Sequence, residues 1–265
     1  MNTYYIISDL HLADGSRRDD FKKNRANFKN FLRIVKKQKA QLIIAGDFLE
    51  LWQTNPIDIA RTYSDILNNL ISLQAKIIIG NHDYYLQHFR QLNFLYDSFR
   101  IPGTRIFIQH GHQFDRFNDP KRLIYMGNLA AMSAGIMEDI HPDLDETAMS
   151  FLESLHQKLK SALSPIHTPG TNRRQYLSHG GDFSEYLTGA KKLLKKFDYV
   201  ILGHTHKPGT AFKGRYLNSG SWTSSKPTYV EVDHHGQCSL KYWPTQNLVK
   251  KSPFCSHFKK KTQRR

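Results

Sequence analysis

Five short apolar runs in this chain are each followed directly by side chains that can bind a metal ion. The clearest run, residues 42–45, shows no alternation of apolar and polar side chains, which predicts a strand covered on both faces. Gly46 permits a sharp turn where this strand ends, and Asp47 follows at the carboxyl edge of the sheet. Because open α/β sheets place their chemistry at that edge, the pattern predicts an α/β protein with its site there.

The other four runs have the same form, and the first of them ends in an Asp-x-His pair. In extended backbone such a pair puts both side chains on one face, as two ligands of one metal require. The candidate ligands are Asp9 and His11 after residues 4–8, Asn81 and His82 after residues 75–79, His110 after residues 105–109, and His204 and His206 after residues 198–202.

Together with Asp47, these side chains offer carboxylate, amide and imidazole ligands. The mixture suits borderline divalent ions better than Ca²⁺ or an all-oxygen Mg²⁺ site. We expect two divalent ions as cofactors, with Mn²⁺ as the first choice and Fe²⁺, Zn²⁺ or Mg²⁺ as alternatives. Asp47 is the natural bridge, because a carboxylate can lend one oxygen to each ion, and two such ions can hold a hydroxide and clamp a phosphoryl group.

The spacing of apolar residues predicts helices over residues 19–37 and 57–73, between the first three strands. The resulting β-α-β-α-β series, continued by residues 105–109, predicts a largely parallel sheet with right-handed connections. Three later runs, residues 214–217, 228–232 and 239–243, resemble hairpin strands and favour a second, mixed sheet.

The pattern changes between residues 115 and 196, where three predicted helices surround a loop rich in proline and glycine. We interpret this segment as a helical cap inserted over the sheet edge, although the helices could equally only cover the sheet. The predicted division is a core of residues 1–114 and 197–248, a cap of residues 115–196 and a basic tail of residues 249–265.

The formal net charge of +15 is unusual, and part of it is concentrated at the carboxyl end. Residues 250–265 contain seven lysines and arginines and no acid. Such a tail is either a solvated end or a contact for anionic phospholipid or nucleic acid.

No apolar run reaches the roughly 20 residues that span a bilayer, and two cysteines are too few for a disulfide framework. With a first strand at residues 4–8 in place of a signal peptide, these features predict a cytoplasmic protein, with peripheral attachment to the inner face of a membrane as an option.

The order of the motifs resembles the calcineurin-like metallophosphoesterase superfamily. The motifs are Asp9-x-His11, Gly46-Asp47, Gly80-Asn81-His82-Asp83, His110 and Gly203-His204-x-His206. The resemblance implies a four-layer α/β/β/α sandwich and a dinuclear metal-dependent phosphohydrolase, in which a metal-bridged hydroxide attacks phosphorus. It implies one metal on Asp9, His11, Asp47 and His206, and the other on Asp47, Asn81, His110 and His204.

The resemblance also implies that Asn81 and His82 are catalytic, with His82 serving the leaving group. Glu50 matches the position of an acid that orients this histidine in some relatives, and a surface glutamate is the alternative. His112 is close enough in sequence to His110 to be an alternative ligand.

Within the superfamily, the nearest resemblance is to UDP-2,3-diacylglucosamine pyrophosphohydrolases of lipid A synthesis. Residues 47–52, the position of the insertion and the basic tail all point there. Two departures put the lipid substrate in doubt, because His82 and His112 stand where that subgroup commonly has arginine and aspartate.

The substrate expected from these features is a small or lipid-linked anionic phosphate compound. The candidates for binding its phosphates are Arg17, Arg18, Arg173 and Arg174, each of which could instead be ordinary surface charge. The net charge also allows a nuclease of the same superfamily, and a non-catalytic interaction protein on the same fold is the third hypothesis.

Overall fold

In the computed structural model, two β-sheets pack face to face with helices on both outer sides. The structure describes residues 1–52, 54–89, 92–115 and 183–244. All of them belong to one of two compact units, which consists of Met1–Arg116 and His179–Arg265. The predicted basic tail and most of the predicted cap lie outside the described residues.

The first sheet has six strands in the order β11-β10-β1-β2-β3-β4. Its four parallel strands are β1 (Tyr4–Ile7), β2 (Gln41–Ala45), β3 (Lys76–Ile78) and β4 (Leu95–Tyr96). The hairpin of β10 (Thr228–Val232) and β11 (Cys238–Tyr242) adds to the free edge of β1 in antiparallel fashion.

The second sheet has five strands in the order β5-β6-β7-β9-β8. The parallel strands at its centre are β6 (Ile106–Gln109), β7 (Tyr199–Leu202) and β9 (Tyr216–Asn218). The edge strands β5 (Ser98–Arg100) and β8 (Gly209–Ala211) are antiparallel to their neighbours. Since β6 and β7 run parallel, His110 and His204 leave the sheet at the same edge.

Four α-helices flank the sheets in the described part of the chain: α1 (Arg25–Lys37), α2 (Pro56–Thr62), α3 (Ser64–Ser72) and α4 (Phe183–Leu193). Asn55 caps α2 through a bond from the Ile57 amide, and Pro56 occupies the first turn, where its missing N–H costs nothing. None of the helices in the described residues is long and apolar enough to cross a membrane.

The helix predicted over residues 57–73 is divided at Tyr63, whose backbone leaves the helical region (φ −117°, ψ 25°). The Tyr63 side chain is fully buried, and its hydroxyl donates a hydrogen bond to Asp19. Asp19 also caps the short 3₁₀ helix Asp20–Asn24 that precedes α1. A tertiary hydrogen bond therefore accompanies a break that the apolar spacing did not reveal.

Three apolar clusters account for the four layers. The strand β2 shows the principle, because Leu42 and Ile44 face one cluster whereas Ile43 and Ala45 face another. The run without alternation is thus a strand buried on both faces, as predicted. The first cluster lies between the first sheet and helices α1 and α3 and includes Phe28, Phe31, Leu70 and Trp222. The second lies between the two sheets and includes Ile6, Ile78, Ile108 and Ile201. The third lies between the second sheet and α4 and includes Ala190, Phe197, Val200 and Leu202.

The predicted α/β class and the α/β/β/α layering are confirmed, but two strand assignments were wrong. The strand that ends before His110 does not extend the first sheet, because the chain passes to the second sheet between β4 and β5. Conversely, residues 228–232 and 239–243 do not form a second sheet but extend the first one. Contacts between distant segments decide which strands pair, whereas an apolar pattern indicates only that a segment is a strand and which faces it buries.

The helix α4 was predicted as part of the cap, but it packs on the outer face of the second sheet and belongs with the core unit. Residues 116–182 of the predicted cap lie outside the described residues, so the boundaries of an insertion stay a prediction. Cys238 is a half-buried free thiol in β11, and Cys255 falls in the tail outside the described residues.

Candidate metal centre

The backbone at the strand ends adopts a left-handed conformation that residues other than glycine rarely take. Positive φ angles occur at five predicted ligands: Asp9 (55°), His11 (48°), Asp47 (49°), His204 (70°) and His206 (57°). Each such residue costs about 1–2 kcal/mol relative to the right-handed region. Strain of this kind persists where the surrounding structure enforces it, and it is concentrated at functional sites.

The first donor group consists of Asp9, His11 and His206. The Nε2 atoms of the two histidines are 3.1 Å apart, and His206 Nε2 lies 3.2 Å from Asp9 Oδ1. Asp9 is fully buried, and Oδ1 accepts no hydrogen bond within the described residues. Its other oxygen is fixed by the His204 amide at 3.0 Å and by the Ser8 hydroxyl.

The second donor group surrounds His110 Nε2. Around this atom lie Asn81 Oδ1 at 3.1 Å, Asp47 Oδ2 at 3.2 Å and His204 Nδ1 at 3.2 Å. The Nδ1–H of His110 donates to the Ala45 carbonyl at 2.8 Å, so Nε2 presents its lone pair to the group. All four side chains are buried.

Asp47 Oδ2 belongs to both groups, because it also lies 3.7 Å from His11 Nε2. Asp47 Oδ1 accepts the His82 amide at 2.9 Å and so anchors the loop after β3. A single oxygen, Oδ2, therefore lies close to both groups, and the expectation that Asp47 lends one oxygen to each metal stays a prediction.

The spacing and protonation of these atoms fit metal binding. Donors that are each about 2.1 Å from one ion lie roughly 3.0–3.4 Å apart at octahedral or tetrahedral angles, and the distances around His110 Nε2 match. His110 Nδ1 and His204 Nε2 point away from the centre to hydrogen-bond acceptors, so His110 Nε2 and His204 Nδ1 are the nitrogens that face the site. They lie close to the carboxylate and amide oxygens, and a metal ion would take the place that a proton on His110 Nε2 otherwise holds.

The pKa values of the metal-free protein show that the buried carboxylates attract positive charge to this site. Burial by itself lowers the pKa of His110, but the Asp47 carboxylate outweighs it and raises that pKa to about 9. Burial raises the pKa of Asp47, yet the charge of His110 holds it well below its usual range. The residues fit two divalent ions, which would be held by Asp9, His11, Asp47 and His206 and by Asp47, Asn81, His110 and His204.

Glu50 connects the first donor group to His82. Its carboxylate accepts from His11 Nδ1 at 3.0 Å and from His82 Nδ1 at 2.9 Å. Burial raises the pKa of Glu50, but the hydrogen bonds from the two histidines lower it to about 2. The His82 ring is also stacked on Trp52, with ring centroids 4.0 Å apart. Glu50 is therefore a partner of both histidines and not a surface glutamate.

Asp83 is a buried carboxylate that belongs to the motif after β3 but received no role from the sequence. It accepts hydrogen bonds from the amides of Gly80 at 2.7 Å and Phe48 at 2.7 Å, which ties the loop after β3 to the loop after β2. Burial, together with the nearby Asp47, raises the pKa of Asp83 to about 6. Its role is to hold the Asp47 and Asn81 loops in register.

Asp115 is a carboxylate that the sequence analysis missed. Its Oδ2 accepts from His204 Nε2 at 3.1 Å and from the Tyr186 hydroxyl at 2.9 Å. Nothing in the local sequence marks it, because its partners come from the loop after β7 and from α4. The short 3₁₀ helix His112–Phe114 turns the chain so that Asp115 returns to the site.

The structure brings together all seven predicted ligands and His82. His112 lies outside both donor groups, with its ring centroid 5.4 Å from that of His110, so the geometry favours His110 as the ligand. Arg17 and Arg18 are exposed, and Arg173 and Arg174 lie outside the described residues.

Similar folds occur among solved structures. They include an archaeal phosphodiesterase (17% identity over 91% of this chain and 99% of that chain, TM-score 0.39), Vps29 from Entamoeba histolytica complexed with zinc (15%, 91% and 99%, TM-score 0.41) and a hypothetical protein from Pyrococcus horikoshii OT3 (11%, 95% and 92%, TM-score 0.44). Likenesses at this level carry no information about a substrate. A comparison with curated protein sequences gave no significant match.

The comparison with protein families is decisive. The model for calcineurin-like phosphoesterases matches residues 3–208, a span that contains both donor groups, Glu50 and His82. The chain therefore belongs to the calcineurin-like phosphoesterase family.

Proposed function

We propose that this protein is a dinuclear metal-dependent phosphohydrolase that cleaves a phosphodiester, pyrophosphate or phosphomonoester bond. The observation that carries the proposal is the pair of donor groups that share Asp47 Oδ2, with the Glu50-bound His82 ring beside them. The mixed nitrogen and oxygen donors support Mn²⁺, Fe²⁺ or Zn²⁺ as the cofactor. Two such ions, when bound, supply an activated water and neutralise charge on the phosphoryl oxygens.

His82 is suited to give a proton to the leaving oxygen as its bond to phosphorus breaks. Its Nδ1 donates to Glu50, so a second proton at Nε2 is the one available for transfer. Burial lowers the pKa of His82, but the Glu50 hydrogen bond outweighs it, so the pKa lies above its ordinary value. An upward shift favours the protonated ring that a general acid requires.

Glu50 and Trp52 hold the His82 ring in place. Glu50 is ionised at neutral pH, because its pKa is about 2. The stacked Trp52 ring restricts rotation of the imidazole, and the ring of His11 meets His82 edge-on with centroids 4.6 Å apart. The proton-donating group is thereby held beside the first donor group.

As the finer assignment we propose a UDP-2,3-diacylglucosamine-type pyrophosphohydrolase at the inner face of a membrane. It is supported by the residues that follow Asp47 and by the basic tail, which would attract anionic lipid headgroups. His82 and His112 in place of the subgroup's usual arginine and aspartate count against it.

A nuclease is the second candidate, and the net charge of +15 is the observation that favours it. The third candidate is a non-catalytic interaction protein on this fold. The complete donor set and the presence of His82 speak against loss of catalysis.

The test is a hydrolysis screen with Mn²⁺ on bis-p-nitrophenyl phosphate, p-nitrophenyl phosphate, UDP-2,3-diacylglucosamine and a single-stranded oligonucleotide. We expect His82→Ala to reduce turnover by about 10²–10⁴-fold, as loss of a general acid does. The matched control, His88→Ala, removes an exposed histidine six residues later and should have wild-type activity.

The outcomes separate the candidates. Preference for the UDP-lipid supports the finer assignment, and cleavage of the oligonucleotide with steep salt dependence supports a nuclease. A protein that binds two ions and hydrolyses none of these compounds would overturn the catalytic proposal.

A further inference from the structure

We propose that Asp115 is a positioning residue that fixes the metal ligand His204, and that Tyr186 of α4 in turn anchors Asp115. This inference rests on the proposed metal-dependent function and identifies a part of the same site that the family motifs do not include. Two segments distant in sequence meet at one oxygen, Asp115 Oδ2.

The geometry determines which nitrogen of His204 is available as a ligand. His204 Nε2 lies 3.1 Å from Asp115 Oδ2, and a carboxylate accepts the proton that this nitrogen carries. The lone pair is then on Nδ1, which lies 3.2 Å from His110 Nε2 in the second donor group. A carboxylate that accepts from the outer nitrogen of a ligating histidine fixes its tautomer and ring orientation and increases its basicity.

The surroundings make this interaction strong. Asp115 is 1% exposed and Tyr186 is 0% exposed, so water does not compete for either group. A charged hydrogen bond in such a setting is about twice as strong as a neutral one. The Tyr186 hydroxyl donates to the same oxygen at 2.9 Å, which holds the carboxylate against rotation.

The helix α4 is brought close enough for this contact by Gly189. A Cβ atom at this position would lie 2.3 Å from a ring carbon of Phe114, the residue before Asp115. Tyr186 and Gly189 are three residues apart and therefore share one face of α4. The glycine allows the helix to approach residue 114 closely, and the tyrosine on the same face then reaches Asp115.

The experiment measures Co²⁺ binding by visible absorption and calorimetry in two backgrounds. His206→Ala removes a ligand of the first group, so the remaining ion reports the second group. His110→Ala removes a ligand of the second group, so the remaining ion reports the first group. We expect Asp115→Asn to weaken Co²⁺ binding by about 10–100-fold in the His206→Ala background and to leave it unchanged in the His110→Ala background.

Two further variants test the mechanism. Tyr186→Phe should weaken binding in the same background, by less than Asp115→Asn, because it loosens the carboxylate without removing it. Asp19→Asn is the matched control, since Asp19 is also buried and also accepts a hydrogen bond from a tyrosine hydroxyl, that of Tyr63. It should not change Co²⁺ affinity or the absorption spectrum.

Equal Co²⁺ affinity with and without Asp115→Asn in the His206→Ala background would overturn the inference. A similar loss from Asp19→Asn would also overturn it, because the effect would then be one of general stability. If the wild-type protein binds no Co²⁺, both this inference and the proposed metal-dependent function are wrong. If the wild type binds two ions and hydrolyses phosphoesters while Asp115→Asn binds normally, this inference alone is wrong.

Discussion

Gly46 is a position at which a single added methyl group is expected to disturb the metal centre strongly. Its φ is +91°, and a Cβ atom there would lie 2.2 Å from His110 Nδ1 and 2.3 Å from His110 Cγ. Ordinary contacts between such atoms are about 3.5–4.0 Å. The imidazole would have to move by more than about 1 Å, and its hydrogen bond to the Ala45 carbonyl would break.

The expected cost of Gly46→Ala has three parts. The left-handed backbone costs about 1–2 kcal/mol, the forced repacking about 1–3 kcal/mol, and the broken buried hydrogen bond about 1–3 kcal/mol. Gly103→Ala is the matched control, because Gly103 has a φ of +71° and a Cβ atom there would meet nothing within 4 Å. It should cost only the backbone strain, so Gly46→Ala is expected to be worse by at least about 2 kcal/mol.

Urea denaturation of the metal-free proteins measures this difference, with equal m-values as the check that one transition is compared. A Mn²⁺ titration provides the second readout, and Gly46→Ala should bind Mn²⁺ at least about 10-fold more weakly than Gly103→Ala. The reasoning would be refuted if the two variants agreed within about 0.5 kcal/mol and bound Mn²⁺ equally well.

Three further predictions follow from other contacts. Burial by itself raises the pKa of Glu50, but the hydrogen bonds from His11 and His82 outweigh it and lower the pKa from 4.5 to about 2. The stability that ionised Glu50 adds to the fold is therefore complete above pH 4.5 and is lost as the pH falls toward 2. In urea denaturation of the metal-free protein, the advantage of wild type over Glu50→Gln should therefore shrink across that window, and a constant difference would contradict the argument. Arg215 donates to the carbonyls of Leu194, Phe197 and Asp198, so Arg215→Met should cost about 1–2 kcal/mol in chemical denaturation, whereas Lys213→Met in the adjacent turn should cost almost nothing. Mn²⁺ at 1,000 times its dissociation constant should stabilise the protein by about 4 kcal/mol in calorimetry, and Asp47→Asn should abolish that gain.

Much of the candidate site could be predicted from the sequence because each ligand follows a local signal. An apolar run, a glycine and a polar residue mark Asp47 and His204 without knowledge of any other part of the chain. Asp83 lies in the same kind of motif, after β3, but its partners, which include the Phe48 amide in the loop after β2, are visible only in the structure. Asp115 carries no such signal and is recognisable only because it accepts from the outer nitrogen of His204, which follows β7.

The buried strands and the polar residues at their ends can be predicted from the sequence, because these features depend on side chains a few positions apart. Tertiary contacts are needed to show that β10 and β11 join the first sheet and that one oxygen of Asp47 faces both donor groups. They also show that α4 reaches the site through Tyr186. Pairing and burial join residues that are far apart in the chain, and such contacts depend on the packing of the whole fold, which local periodicity does not encode.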